Sequence, residues 1–176
     1  IHDDMFSTNR EYVREFCRRI APYKLEWSIN LIARYVYEGM IDELRAAGCN
    51  MILYGFESFD DNVLKSMRKP VKQKHIAMAA KLNYDCGFSF NANFIFGDTA
   101  ETIDSINTTL NWWIRNLKYG IKTRPLWIFP GSEIFKTAVK NGKIADPGDY
   151  VENFNLKTRI NATNIDDHLY SLFMRE

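Results

Sequence analysis

Short runs in which apolar and polar residues alternate keep giving way to longer stretches where apolar residues recur at helical spacing. This rhythm restricts the chain more than any other feature. In "KLEWSINLIAR", Leu25, Trp27, Ile29 and Leu31 alternate with Glu26, Ser28, Asn30, Ile32 and Arg34, which predicts a strand. "CNMILYGFES", "FSFNANFIFG" and "GIKTRPLWIFP" read the same way. Between them lie helical patterns: "YEGMIDELRAAG", ended by Gly48; "DDNVLKSM" and "KQKHIAMAAKLNYDCG", split by the helix breaker Pro70; the long segment from Gly97 to Lys118; and "SEIFKTAVKNG". A further helix opens the chain at "STNREYVREFCRRI", where Thr8 and Glu11 have capping-box spacing. Asp98 is expected to cap the long helix, with Glu101 reaching back. Strand and helix in strict turn predict parallel strands joined by right-handed crossovers.

The strand faces differ in kind. Phe88, Phe90, Ala92, Phe94 and Phe96 share one side of their strand, while Ser89, Asn91, Asn93 and Ile95 share the other. Glu26, Ser28, Asn30 and Arg34, then Glu57, then Lys122 and Arg124 continue that polar file on the other strands. A parallel sheet covered by helices on both faces would read as continuous apolar runs. A polar file predicts instead a barrel wall with a functional interior, with the reactive end at the carboxyl termini of the strands. Four full strands and the stump of a fifth at Ile1 and His2 are too few for a closed ring of eight, so the expected fold is α/β, a partial TIM-like barrel. Residues 1–145 belong to it, and residues 146–176 read as a loop-rich extension.

Charge and cysteine content narrow the function. Lys and Arg number 23 against 22 for Asp and Glu, which leaves no overall electrostatic footprint for nucleic acid. No apolar run reaches membrane-spanning length and no signal sequence is legible, so a cytoplasmic protein is expected. Cys17, Cys49 and Cys86 are too widely spaced for a local metal knuckle and read as reduced structural thiols.

The segments "IHDDMFSTNREYVREFC", "IAR" after Trp27, "ELRAAGCNMILYGFESFDDNVLKSMRK", "FIFGDTAET" and "WIFPGSEIFKTAVKNGKI", in this order, resemble the radical S-adenosylmethionine superfamily. They are most similar to its cobalamin-associated iron-sulfur oxidoreductases, such as the anaerobic magnesium-protoporphyrin IX monomethyl ester cyclases. The resemblance implies a partial barrel of six strand-helix units, of which four to five are present. It implies S-adenosylmethionine and a four-iron iron-sulfur cluster as cofactors of the complete protein, with cobalamin as a further candidate. It also implies a reductant protein as partner and a small-molecule substrate, from which hydrogen is abstracted after reductive cleavage of S-adenosylmethionine. By the same resemblance Asp3 and Asp4 hold the methionine amino group. Arg34 pairs either the methionine carboxylate or a structural acid such as Glu57. Glu57, assisted by Ser58, contacts ribose hydroxyls, while Asn93 and Ile95 border adenine and ribose. The CxxxCxxC loop that defines the family does not occur in the sequence, so this stretch is expected to be the carboxyl-terminal part of the catalytic domain and inactive alone.

Two other readings stay open. One is a barrel hydrolase or lyase with Asp4 and Glu57 as acid and base and a divalent metal at His2, Asp3 and Asp4. The other is a non-catalytic module that binds a nucleotide-like ligand or dimerises through an open barrel edge.

Overall fold

The computed structural model describes residue 6, residues 9–155 and residues 160–173. His2, Asp3 and Asp4, and with them the expected amino-group contact and the metal site of the rival hydrolase or lyase reading, lie outside the described residues.

The elements follow the predicted rhythm. In chain order they are α1 (Arg10–Ile20), β1 (Trp27–Asn30), α2 (Met40–Ala46), β2 (Cys49–Glu57), α3 (Asp61–Ser66), α4 (Gln73–Asp85), β3 (Phe90–Phe96), α5 (Ile103–Arg115), β4 (Lys122–Pro125), α6 (Glu133–Lys140), α7 (Pro147–Asn153) and α8 (Asp167–Phe173). The strands form one sheet in the order β1-β2-β3-β4, and every pair is parallel. This is the α/β architecture of a partial TIM-like barrel. At β1 the backbone N–H of Phe6 donates to the Asn30 carbonyl at 3.0 Å, so the chain runs in along that edge.

One face of the sheet makes the core. Ile29, Ile52, Phe56 and Phe94 are wholly buried beneath the helices, with Tyr54 and Ala92 beside them. Tyr54 and Phe56 stack at 5.2 Å between centroids, and Phe59 stacks on Trp112 of α5 at 4.3 Å. The helices contribute Met40 and Leu44 from α2, Leu64 from α3, Ile76 from α4 and Ile106 from α5. A side chain of this size stabilises the fold by about 1.5–3 kcal/mol when taken from water. A smaller cluster of Ile128, Ala138, Ile144, Tyr150 and Ala162 joins α6 to α7, while Ile165 and Tyr170 return to the main core.

Several expected boundaries shift. The first strand begins at Trp27, because Lys24 adopts a left-handed conformation that closes a 3-10 turn and leaves Leu25 exposed. It ends at Asn30, and Ala33–Tyr35 form another 3-10 turn. Asn9 caps α1, accepting from the N–H groups of Glu11 and Tyr12, while Thr8 of the expected capping box lies outside the described residues. The long helix starts after Thr102, whose hydroxyl accepts from Ser105 N–H while the Ser105 hydroxyl accepts from Thr102 N–H. Asp98 instead closes its own turn on Ala100 N–H, and Glu101 reaches Gly97.

Candidate functional site

Parallel pairing lines up the side chains on the face away from the helices. Asn30 of β1, Leu53 of β2 and Asn91 of β3 share one register row; Gly55, Asn93 and Lys122 share the next, and Ile95 pairs with Arg124. Asn30, Asn91, Asn93 and Ile95 are all partly buried, which is the environment of a barrel interior facing a cavity.

Between Gly55 and Glu57 the register with β3 slips by one residue, and Glu57 takes a φ of 63°. For a residue with a Cβ that backbone costs about 1–2 kcal/mol, and a bulge of this kind re-aims a side chain. Here it folds the Glu57 carboxylate back over β2. A Cβ built on Gly55 would lie 2.6 Å from Glu57 Oε1 and 3.2 Å from Lys69 Nζ, so a side chain here would push both groups from their present positions. Lys69 Nζ donates to Glu57 Oε1 at 2.8 Å, and the Glu57 side chain is 13% exposed. Lys69 is delivered by the end of α3: its own N–H donates to the Leu64 carbonyl and that of Arg68 to the Lys65 carbonyl, a Schellman stop with Arg68 at φ 54° where glycine is usual.

Cavities open on both sides of this ion pair. One of about 530 Å³ lies at the carboxyl ends of the strands, bordered by Glu57, Lys69, Ile95, Asp98 and Leu126 and by the start of α6. Another of about 330 Å³ runs toward β1, bordered by Asn30, Ile32, Leu53, Gly55 and Lys69. The larger is within the usual size of small-molecule sites, about 300–1,000 Å³.

The rim beyond β3 is built differently. Gly97, at φ 125°, passes so close to Tyr170 and Leu126 that a Cβ would meet the Tyr170 hydroxyl at 2.7 Å and Leu126 Cβ at 3.1 Å. Glu101 Oε2 accepts from Gly97 N–H at 2.6 Å and so closes the loop. Burial pushes the Glu101 carboxyl up to about 8; the Gly97 N–H opposes that rise, and the charges of Asp98 and Asp60 add to it.

Of the residues singled out from sequence, Glu57, Asn93 and Ile95 come together on the interior face. Ser58 does not join them. It is buried, its hydroxyl lies 3.3 Å from that of Thr109 on α5 and accepts from Asp60 N–H, and the turn after the bulge points it into the core. Arg34 leaves the interior as well, because the 3-10 turn breaks the two-residue period and puts it, exposed, in a separate cleft. The acid Glu57 is matched by Lys69 rather than Arg34. Lys69 was not legible as a site residue; its one signal is its place just before Pro70, after a helix stop.

The donor set suits an adenosyl ligand: a carboxylate to accept from hydroxyls and an aliphatic flank border a cavity of adequate size, and a carboxamide stands one register row away on the same face. It does not suit an iron-sulfur cluster. Burial pushes the Cys17 and Cys49 thiols up to about 11, which opposes the thiolate a cluster requires, and Cys86 closes α4 elsewhere. Among the described residues, no three His, Cys, Asp or Glu side chains are grouped to hold a metal ion. None of the described helices is long and apolar enough to cross a membrane.

No family model matches the chain. Among curated proteins it is similar to the bacteriochlorophyllide d C-12(1)-methyltransferase of Chlorobaculum tepidum, 26% identical over 138 residues that cover 76% of this chain and 30% of the relative. Among solved structures it is similar to the radical S-adenosylmethionine methyltransferase TsrM from Kitasatospora setae, determined with cobalamin and a [4Fe-4S] cluster bound. The TM-score is 0.67 at 15% identity, covering 81% of this chain and 28% of that one. Coproporphyrinogen III oxidase (HemN) from Escherichia coli, a radical SAM enzyme, gives a TM-score of 0.53 at 21% identity, with 69% and 30% covered. The structural neighbours are thus radical SAM enzymes, a cobalamin-bound one among them, and the fold resemblance read from the motifs holds. The chain spans less than a third of the length of each of these proteins.

Proposed function

We propose that this chain forms the adenosyl-binding side of the barrel of a radical S-adenosylmethionine enzyme, and that the enzyme transfers a methyl group. The observation that carries the binding role is the strained bulge at Glu57, which spends backbone energy to hold a lysine-paired carboxylate over the interior face. S-adenosylmethionine, when bound, supplies an activated sulfonium. Glu57 accepts hydrogen bonds from ribose hydroxyls, the Asn93 carboxamide reads a polar edge nearby, Ile95 packs on the base, and Lys69 fixes the Glu57 rotamer. The names of the curated relative and of TsrM favour methyl transfer over the cyclase-like oxidation that the motifs suggest. HemN, an oxidase on the same fold, keeps oxidation as the second reading. A product assay with methyl-labelled S-adenosylmethionine separates the two, because label in the product is expected only for methyl transfer.

The binding role is tested by calorimetry on the complete, anaerobically reconstituted protein. Glu57→Ala should weaken S-adenosylmethionine binding about tenfold or more, the scale of a charge-assisted hydrogen bond pair. Unchanged affinity would reject the assignment. Since the described cysteines do not suit a cluster, we further propose that its ligands come from another stretch of polypeptide. The 176-residue chain should then gain no iron-dependent visible absorption on reconstitution, and a stoichiometric cluster spectrum would overturn this.

A further inference from the structure

The cleft that holds Arg34 is the most highly charged concavity among those described. It measures about 710 Å³ and draws its walls from the 3-10 turn after β1, from α3 with its cap, and from the entry to α4. Arg34, Lys65, Arg68, Lys69, Lys72 and Lys74 line it, against Asp61 as the one carboxylate. Six cations and one anion leave the cleft at +5; the whole chain carries +1, so everything else sums to −4. Even Asp61 is engaged, since its Oδ1 accepts from Gln73 N–H at 2.9 Å. Of the six cations only Lys69 makes an ion pair among the described residues.

The charge also runs against the local backbone. Helix α4 has 13 residues and no acid in its first turn, whereas Lys72 stands at its cap and Lys74 follows just inside. Acids, not cations, are favoured at that end of the helix dipole. His75 registers the potential. Its Nδ1 accepts from Lys72 N–H at 3.1 Å, and burial, then Lys74, Arg34 and Lys72, hold the imidazole below its ordinary value and so keep it a neutral acceptor. An arrangement in which helix and side chains all present positive charge to one concavity is relieved by an anion.

We propose that this cleft binds a small organic anion carrying two linked phosphate groups, held by the cations of α3, its cap and the α4 entry. One phosphate has fewer faces than this wall has donors, and the concave form suits a small molecule better than a protein surface. The site does not depend on the adenosyl reading above: the two cavities share only Arg68 and Lys69, and of these only Lys69 enters that reading.

The test is a calorimetric and NMR titration of the 176-residue chain with inorganic pyrophosphate at low ionic strength. One saturable site is expected, with the His75 ring resonances shifting and its titration moving to higher pH as the cleft is neutralised. The double variant Lys72→Glu, Lys74→Glu should bind about tenfold more weakly or worse. Its melting temperature should stay the same or rise, because acids suit the start of α4, so lost binding cannot be put down to lost folding. The proposal fails if no saturable binding occurs, if many equivalent sites titrate, or if the double variant binds as well as the parent. Orthophosphate binding as tightly as pyrophosphate would overturn the requirement for two phosphates. A poly-glutamate peptide binding more tightly than pyrophosphate would identify a protein-docking surface instead.

Discussion

Two glutamates stand at the carboxyl-terminal rim of neighbouring parallel strands, and the protein treats them in opposite ways. Glu57 keeps its charge partner in Lys69, sits on a left-handed backbone without the relief of glycine, and borders a cavity. Glu101 is 3% exposed, is satisfied by one backbone N–H, and has its strained neighbour relieved by a true glycine, Gly97. The first turn retains strain and charge where a ligand can meet them; the second has shed both and packs. A carboxylate on a barrel rim is thus no sign of chemistry by itself; what decides is the group that answers it.

The contrast can be broken most forcefully at Glu101. Its carboxyl titrates near 8 in the folded chain, well above its unfolded value, so the folded form binds more protons than the unfolded one in between. Stability should therefore be full below about pH 4 and fall as pH rises toward 8, by on the order of a few kcal/mol. Glu101→Gln, which keeps an acceptor for Gly97 N–H, should flatten that slope in urea unfolding measured across the range; an equally steep slope would mean that another group carries it. Gly97→Ala comes next, with a loss of about 2–3 kcal/mol expected from the positive φ and the crowding against Tyr170. A variant as stable as the parent would show that the loop yields freely. The smallest effect sharpens the comparison from the other side. Glu57→Gly should be about 1 kcal/mol more stable than Glu57→Ala, because glycine removes the left-handed strain that both other residues bear, yet both should lose the same ligand affinity. Equal stability would locate the strain elsewhere.

Much of this was readable from residue order. The alternation of periods gave the parallel sheet, and the two faces of β3 were separable because Phe94 and Asn93 fall on opposite sides of an uninterrupted strand. Failures cluster where that period breaks. The bulge at Glu57 reverses the phase of the residues after it, so Ser58 turns inward to Thr109, and nothing about a glutamate announces a left-handed backbone. Alternation extended past β1 puts Arg34 on the interior face, and it cannot reveal the 3-10 turn that takes the side chain away. The cap of the long helix lies a whole turn on, at Thr102, since several side chains in the segment can accept the same N–H and tertiary packing chooses among them. Lys69 required knowing how α3 stops, which depends on Arg68 tolerating a glycine conformation.

Lys69 borders all three of the cavities described, yet it has one ammonium to give. Whatever draws that charge outward leaves Glu57 less neutralised, and whatever engages Glu57 changes how firmly Lys69 is held. Occupants on the two sides would therefore sense each other without touching, and equally in both directions. Measuring either affinity while the other side is saturated would read out this cross-talk, and Lys69→Met should silence it.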